Sequence, residues 1–556
     1  MAPTNTDSVL EPEASETSPL LHNSKFDSHD QVDEAARTAN TDLFPQENAV
    51  PLVEEPSTGK LLMVMCSIWL GTFLAALDST IVATLSAPIS TSFSSLSLLS
   101  WLASAYFIAQ AALQPLSGRL TDIYSRRNGL VWANIFFAAG NLICGLARKE
   151  WVLIFGRVIA GMGGGGLTAI STFVASDLVP LRRRGVWQGF GNISYGIGAG
   201  LGGVFGGWIN DTWGWRNAFL IQVPLTIISG IIVFFTVRIP VKHSEKAAIK
   251  RVDFLGAATL ITTLVLLLLG LNSGGNIVPW NHRLIYSTLS LSFISLMLFI
   301  YVENNIASEP VIPVKLLLDR TVLSACLTNW FITMSVFAIL FYGPIYFQVE
   351  GLSPTEAGVR LIPQSVGTAL GSIATGLLMR WTGRYYGLNI GIQVIFIAAC
   401  LIISTFTLDT PAWEPYLAFL MSGTGYSGML TTTLLALISA VDHEHQAVIT
   451  SASYAFRSTG SVIGITIASA VFQNVLKMKL WATLGGRQGA ADIIGRLRDS
   501  LDEIGKLPLE LRVEVRGAYM DALRGVFLTT LGLSVMGALV SLAMREHKLH
   551  SNLERR

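Results

Sequence analysis

Charge is what this 556-residue sequence has least of. Only 13% of its residues are Asp, Glu, Lys or Arg, where a soluble chain carries about a quarter. Such a chain cannot coat a globule with ionised groups, which excludes an ordinary soluble domain. It also excludes a nucleic-acid partner, because the basic residues sit in loops between apolar runs and form no continuous face. Cysteine is scarce as well: Cys66, Cys144, Cys326 and Cys400 stand far apart inside apolar runs. None has metal-ligand spacing, so no metal site is expected and the four read as small buried hydrophobes. A Walker loop, an HExxH pair and a Ser/His/Asp grouping are all missing. No catalytic residue, no enzyme activity and no cofactor is therefore expected. Residues 1–59 contain no apolar core segment, so no cleavable signal peptide is expected and the first apolar run serves as its own insertion signal.

What the chain does have is long apolar runs. Each run of about 20 residues is enough to cross a bilayer as a helix. They fall near 61–84, 98–118, 129–147, 152–175, 187–209, 217–237, 253–271, 284–302, 324–348, 355–379, 387–407, 413–438, 446–472 and 522–543. The expectation is an all-α polytopic membrane protein of 14 transmembrane helices, embedded in the lipid bilayer. Residues 1–59 hold twelve acidic and two basic residues among Ser, Thr, Pro and Asn. That composition reads as a disordered acidic cytosolic tail. Lys and Arg gather in alternate short loops: Arg119, Arg126 and Arg127; Arg182 to Arg184; Arg238, Lys242, Lys246, Lys250 and Arg251; Arg380 and Arg384. The loops between hold little more than Arg148, Lys149, Arg216 and Arg283. The asymmetry places both termini in the cytosol. The long stretch 473–521 mixes both signs at helical spacing and reads as amphipathic helices lying on the lumenal membrane face.

Between the second and third runs stands Gly118-Arg119-Leu120-Thr121-Asp122-Ile123-Tyr124-Ser125-Arg126-Arg127. A loop this short forces its two helices to be antiparallel neighbours. The stretch resembles the signature loop of the major facilitator superfamily, with Ser125 where the family usually has glycine. A weaker echo returns at Gly376, Arg380, Gly383 and Arg384, the mark of two homologous halves. The resemblance implies a major facilitator fold: a six-helix bundle over 60–238, a linker with two inserted helices over 239–320, a second six-helix bundle over 321–545, and a cytosolic tail over 546–556. It also gives Gly118, Arg119, Asp122, Arg126 and Arg127 the role of a gating hinge.

Ionisable groups inside the apolar runs are costly and need a partner or a cavity. Asp78, late in the first run, and Arg157, early in the fourth, fall at the same depth on the outward half. Two readings are open, a fixed ion pair and a proton-coupling pair. Leu77-Asp78-Ser79-Thr80-Ile81-Val82 and Arg157-Val158 with Gly161 and Gly163 resemble the first- and fourth-helix motifs of fourteen-span drug:proton antiporters. That likeness implies proton coupling driven by an ion gradient. In the fifth run Gly198, Gly202, Gly203, Gly206 and Gly207 resemble the antiporter helix-packing motif, with Gly203 in the place of its proline. The Gly-x-Gly-x-x-Gly match there follows no strand, so it is helix packing and not a dinucleotide site.

Arg457, in mid-membrane, suits a carboxylate or a packing partner. Trp101, Tyr106, Gln110, Asn329, Trp330, Tyr342 and Tyr346 are candidate cavity residues, their aromatic faces suited to an ammonium group. Arg251-Val252-Asp253, the stretch Glu303 to Pro313, and Phe341 to Gln348 resemble fungal vacuolar basic amino acid transporters. Glu16 with Leu20 and Leu21 resembles an acidic dileucine signal read by a sorting adaptor. Together these imply a vacuolar antiporter that carries Lys, Arg or His from the cytosol into the lumen. A plasma-membrane efflux pump for drugs or secondary metabolites and a non-transporting nutrient sensor are the alternatives.

Overall fold

The computed structural model describes residues 57–93, 98–179, 181–238, 253–274, 278–307, 314–441, 446–487, 489–499 and 501–547. Glu16, Leu20 and Leu21 lie outside them. Among the described residues the elements are helices, as apolar runs without strand alternation dictate.

Among the described residues fourteen long helices follow in order. They are α1 Thr58–Phe93, α2 Leu98–Tyr124, α3 Arg126–Leu146, α4 Glu150–Leu178, α5 Leu181–Trp213, α6 Trp215–Thr236 and α7 Phe254–Ser273. Next come α8 Arg283–Asn305, α9 Arg320–Val349, α10 Pro354–Thr382, α11 Tyr386–Ser404, α12 Trp413–Ala440, α13 Gln446–Leu484 and α14 Leu509–Ser541. Eleven of these are long and apolar enough to cross a membrane by length and composition. The other three, α2, α5 and α12, are as long but substitute Ala, Gly, Ser and Thr for bulkier apolar residues. Their neighbours explain the composition: α2 packs on α4 and α13, α5 on α1 and α10, and α12 on α10 and α11. Small side chains let those helices approach closely.

Two helices are interrupted. α6 breaks at Ile221 and α10 at Leu361, each shortly before a proline, Pro224 and Pro363. Proline lacks the amide hydrogen that the preceding turn needs.

Neighbour relations repeat between α1–α6 and α9–α14. α1 packs on α4, α5 and α6, as α9 packs on α12, α13 and α14. α2 and α3 both pack on α4, as α10 and α11 both pack on α12; α3 meets α6 as α11 meets α14. The halves join along α2 with α13 and, in the equivalent place, α5 with α10. The inserted α7 lies against the α2–α13 seam, with α8 packed outside it.

The stretch 473–521 differs from its expected form. Its first residues lengthen α13 to Leu484 and its last ones begin α14 at Leu509. Only the short helix Ala490–Asp499 and the tight turn Leu501–Lys506 stand between. Ile494, Leu497 and Ile504 bury in the protein core, and the Tyr519 hydroxyl donates to the Leu497 carbonyl. The apolar face of this helix is spent on the ends of α13 and α14, which their extra turns provide.

Candidate functional site

Asp78 and Arg157 are brought together. The Arg157 Nη1 donates to Asp78 Oδ2 at 2.6 Å, with the two side chains 1% and 0% exposed. The glycines of α4 make this approach possible. A Cβ on Gly161 would lie 2.3 Å from the Tyr106 carbonyl oxygen, and one on Gly164 would lie 2.1 Å from the Tyr106 hydroxyl. Gly163 meets the backbone of Phe137 on α3 in the same way. α2 and α3 therefore close on α4, and the Tyr106 ring lies 4.4 Å from the guanidinium carbon of Arg157.

The remaining polar atoms of the pair are partly answered. Arg157 Nε donates to the Leu102 carbonyl at 3.4 Å, and Gln222 Nε2 of α6 approaches Asp78 Oδ1 at 3.5 Å. Gln222 is itself anchored to the Ala218 carbonyl at 2.9 Å. The site is thus a closed chamber with walls from α1, α2, α4 and α6. A charge pair taken this far from water depends on its partner, since removing one member costs about 3–5 kcal/mol. Gln222 carries no charge, so intramembrane charge does not mark it; a glutamine inside an apolar run is the signal the sequence offers.

The hinge is described in part. Gly118, Arg119 and Asp122 lie on α2, with their surroundings outside the described residues. Arg126 donates from Nε to Asp177 Oδ2 at 2.9 Å and from Nη1 to Thr121 Oγ1 at 2.6 Å, tying the start of α3 to the ends of α2 and α4. The Arg127 guanidinium lies 3.8 Å from the Phe234 ring of α6. Ser125 has φ 104°, in the left-handed region that favours glycine, and Gly383 at the same place in the echo has φ 65°. That backbone conformation explains why glycine suits this position.

The α5 glycines work on two faces. Gly198, Gly202 and Gly206 back onto α1, where a Cβ would meet the Phe73 carbonyl, the Leu77 carbonyl with Thr80, and Ile81. Gly203 and Gly207 back onto α10 of the other half, against Gly358 and Thr355. The first face seats α5 beside Asp78, and the second joins the halves. Asp211 at the end of α5 accepts from the hydroxyl and the amide of Thr355 at the same seam.

The expected cavity residues separate. Tyr106 belongs to the Asp78–Arg157 chamber. Asn329 is buried between Ser453, to which it donates at 3.1 Å, and Thr433, from which it accepts at 3.1 Å. Tyr342 is buried against Phe472, and Tyr346 donates to the Thr407 carbonyl at 3.0 Å. These side chains are committed to packing. Trp101, Gln110, Trp330 and Arg457 are half-buried and remain accessible in part.

Residues 68–465 match the Major Facilitator Superfamily. The chain is 38% identical to "Multidrug resistance protein fnx1" of Schizosaccharomyces pombe over 532 residues, covering 95% of this chain and 99% of that one. It is 30% identical to "Vacuolar basic amino acid transporter 1" of Saccharomyces cerevisiae over 527 residues, covering 87% and 92%. In fold it is similar to a bacterial homologue of the human lysosomal transporter Spinster, in an inward-facing occupied conformation. The TM-score is 0.63 at 17% identity, over 88% of this chain and 97% of that one.

Proposed function

This chain belongs to the major facilitator superfamily of membrane transporters, and on that premise we propose that it exchanges protons for basic amino acids across the vacuolar membrane. The observation that carries the coupling is the buried Asp78–Arg157 contact at 2.6 Å. While Arg157 faces it, the guanidinium offsets the charge of the Asp78 carboxylate. Once Arg157 withdraws, the carboxylate stands in an apolar chamber and takes a proton to shed its charge. A movement of α4 against α1 thereby loads or releases one proton. The Gln222 amide orients the carboxylate, and the Tyr106 ring covers the guanidinium.

The substrate and the location rest on a relative named for basic amino acids and the vacuole, together with the acidic tail that carries Glu16, Leu20 and Leu21. Lys, Arg or His enters from the cytosol and protons leave the lumen in return. Uptake of labelled lysine by isolated vacuoles tests this. The expected result is uptake that a protonophore collapses and Asp78→Asn abolishes; lysine uptake indifferent to the proton gradient would sink it.

One observation favours a second reading. A relative whose 38%-identical match covers 95% of this chain carries a multidrug-resistance name, which fits efflux of drugs or secondary metabolites at the plasma membrane. Proton-driven export of a dye from intact cells, without lysine uptake into vacuoles, is the outcome that selects it.

A further inference from the structure

Arg457 on α13 has no job in the chamber of Asp78 and Arg157. It is half-buried at the join of the two halves, where the next residue, Ser458, donates to Gln114 of α2 at 2.9 Å. Its electrostatic neighbours are three phenols: Tyr426 of α12, Tyr454 of α13 and Tyr195 of α5. The Tyr454 ring lies 5.1 Å from the guanidinium carbon. No Asp or Glu is among these partners, and Arg457 Nε has no hydrogen-bond partner among the described residues. A guanidinium in mid-membrane with no acid among its described partners is costly unless something negative is delivered to it.

We propose that Arg457, with Tyr195, Tyr426 and Tyr454, binds the carboxylate of the transported solute. The planar guanidinium fork matches a carboxylate, and phenol hydroxyls supply further donors. The site draws on both halves, since Tyr195 comes from α5 and the others from α12 and α13. Tyr195 also neighbours Ser79, which follows Asp78 in α1. A carboxylate held by Tyr195 is therefore linked, through that side chain, to the segment that carries the proton pair. The assignment rests on the reading of the chain as an amino acid transporter, and it selects amino acids over simple organic cations, which Arg457 repels.

The test is equilibrium binding to the purified full chain in lipid nanodiscs, with lysine against lysinamide and leucine against leucinamide. The wild type is expected to bind the acid of at least one pair about tenfold or more tightly than its amide, the worth of a charge-assisted hydrogen bond. Arg457→Gln is expected to bring that ratio close to one, with Arg457→Lys and Tyr426→Phe in between. Thermal melting of each variant shows that it is folded. Equal binding of acid and amide in both pairs overturns the proposal, as does a folded Arg457→Gln that keeps the ratio. Discrimination confined to the leucine pair upholds the carboxylate site and removes the basic amino acid reading.

Discussion

At the scale of residues, the question is whether Asp78 and Arg157 act as a pair or as two separate groups. A 2.6 Å contact between side chains this deeply buried ties the stability of each to the other. Asp78→Ala alone should cost about 3–5 kcal/mol, because it strands the arginine in a low-dielectric site. Asp78→Asn combined with Arg157→Gln leaves no stranded charge, so the double variant should melt closer to wild type than the sum of the singles predicts. Thermal melts of Asp78→Asn, Arg157→Gln and the double variant in detergent check this. Additive losses would mean that the groups do not depend on each other in the folded protein. Transport is expected to be absent from all three, which separates the structural role of the pair from its coupling role.

Elements bring a different kind of constraint, set by backbone shape. Ser125 holds φ 104° and ψ 146° at the start of α3 while its side chain accepts from the Asn128 amide at 3.3 Å. Strain at such a position is of order 1–3 kcal/mol for a residue with a Cβ. Losing the cap to glycine costs only a few tenths of a kcal/mol. Ser125→Gly should therefore stabilise the protein by about 1 kcal/mol, read as a rise in melting temperature; no rise would show that the surroundings absorb the strain. On α5 and α10 the constraint is contact. A Cβ on Gly358 would lie 2.4 Å from the Gly203 carbonyl oxygen, and that atom is backbone, which cannot rotate away. Gly358→Val should force the seam open and stop transport. A cysteine placed at Ser365, which faces Gly200 across the same seam, should then label faster with a membrane-impermeant maleimide. Unchanged labelling and transport would show that the seam tolerates the methyl groups.

For the whole molecule, the repeated neighbour pattern of α1–α6 and α9–α14 makes two bodies that can rock against each other along α2–α13 and α5–α10. The inserted α7 lies on the first of these seams, which leaves the α5–α10 seam as the one free of it. Address is a property of the full chain too. Leu20→Ala with Leu21→Ala should move a fluorescently tagged protein off the vacuole while its melting temperature and its lysine binding stay as in wild type. Vacuolar signal that persists in this variant would mean the pattern is idle. The tail is ten charges net negative, and changing these two leucines should leave the bundle intact.

Much of this protein could be read from local properties. Apolar runs of spanning length, the arginine asymmetry of the loops and the doubled hinge depend on composition and spacing, and bilayer physics converts them into helices and a two-fold repeat. Asp78 and Arg157 were legible for the same reason: a charge in an apolar run is expensive wherever it lies, and equal depth on two helices can be counted along the chain. Which helices touch could not be counted. The placement of Gln222 beside Asp78, the withdrawal of Asn329, Tyr342 and Tyr346 into packing, and the gathering of tyrosines from three helices around Arg457 all depend on how each helix is rotated about its axis. In a bundle whose surroundings are as apolar as its core, hydrophobicity no longer sets that rotation. Close packing of glycine faces and the pairing of a few polar atoms set it instead, and those are contacts between residues far apart in the chain.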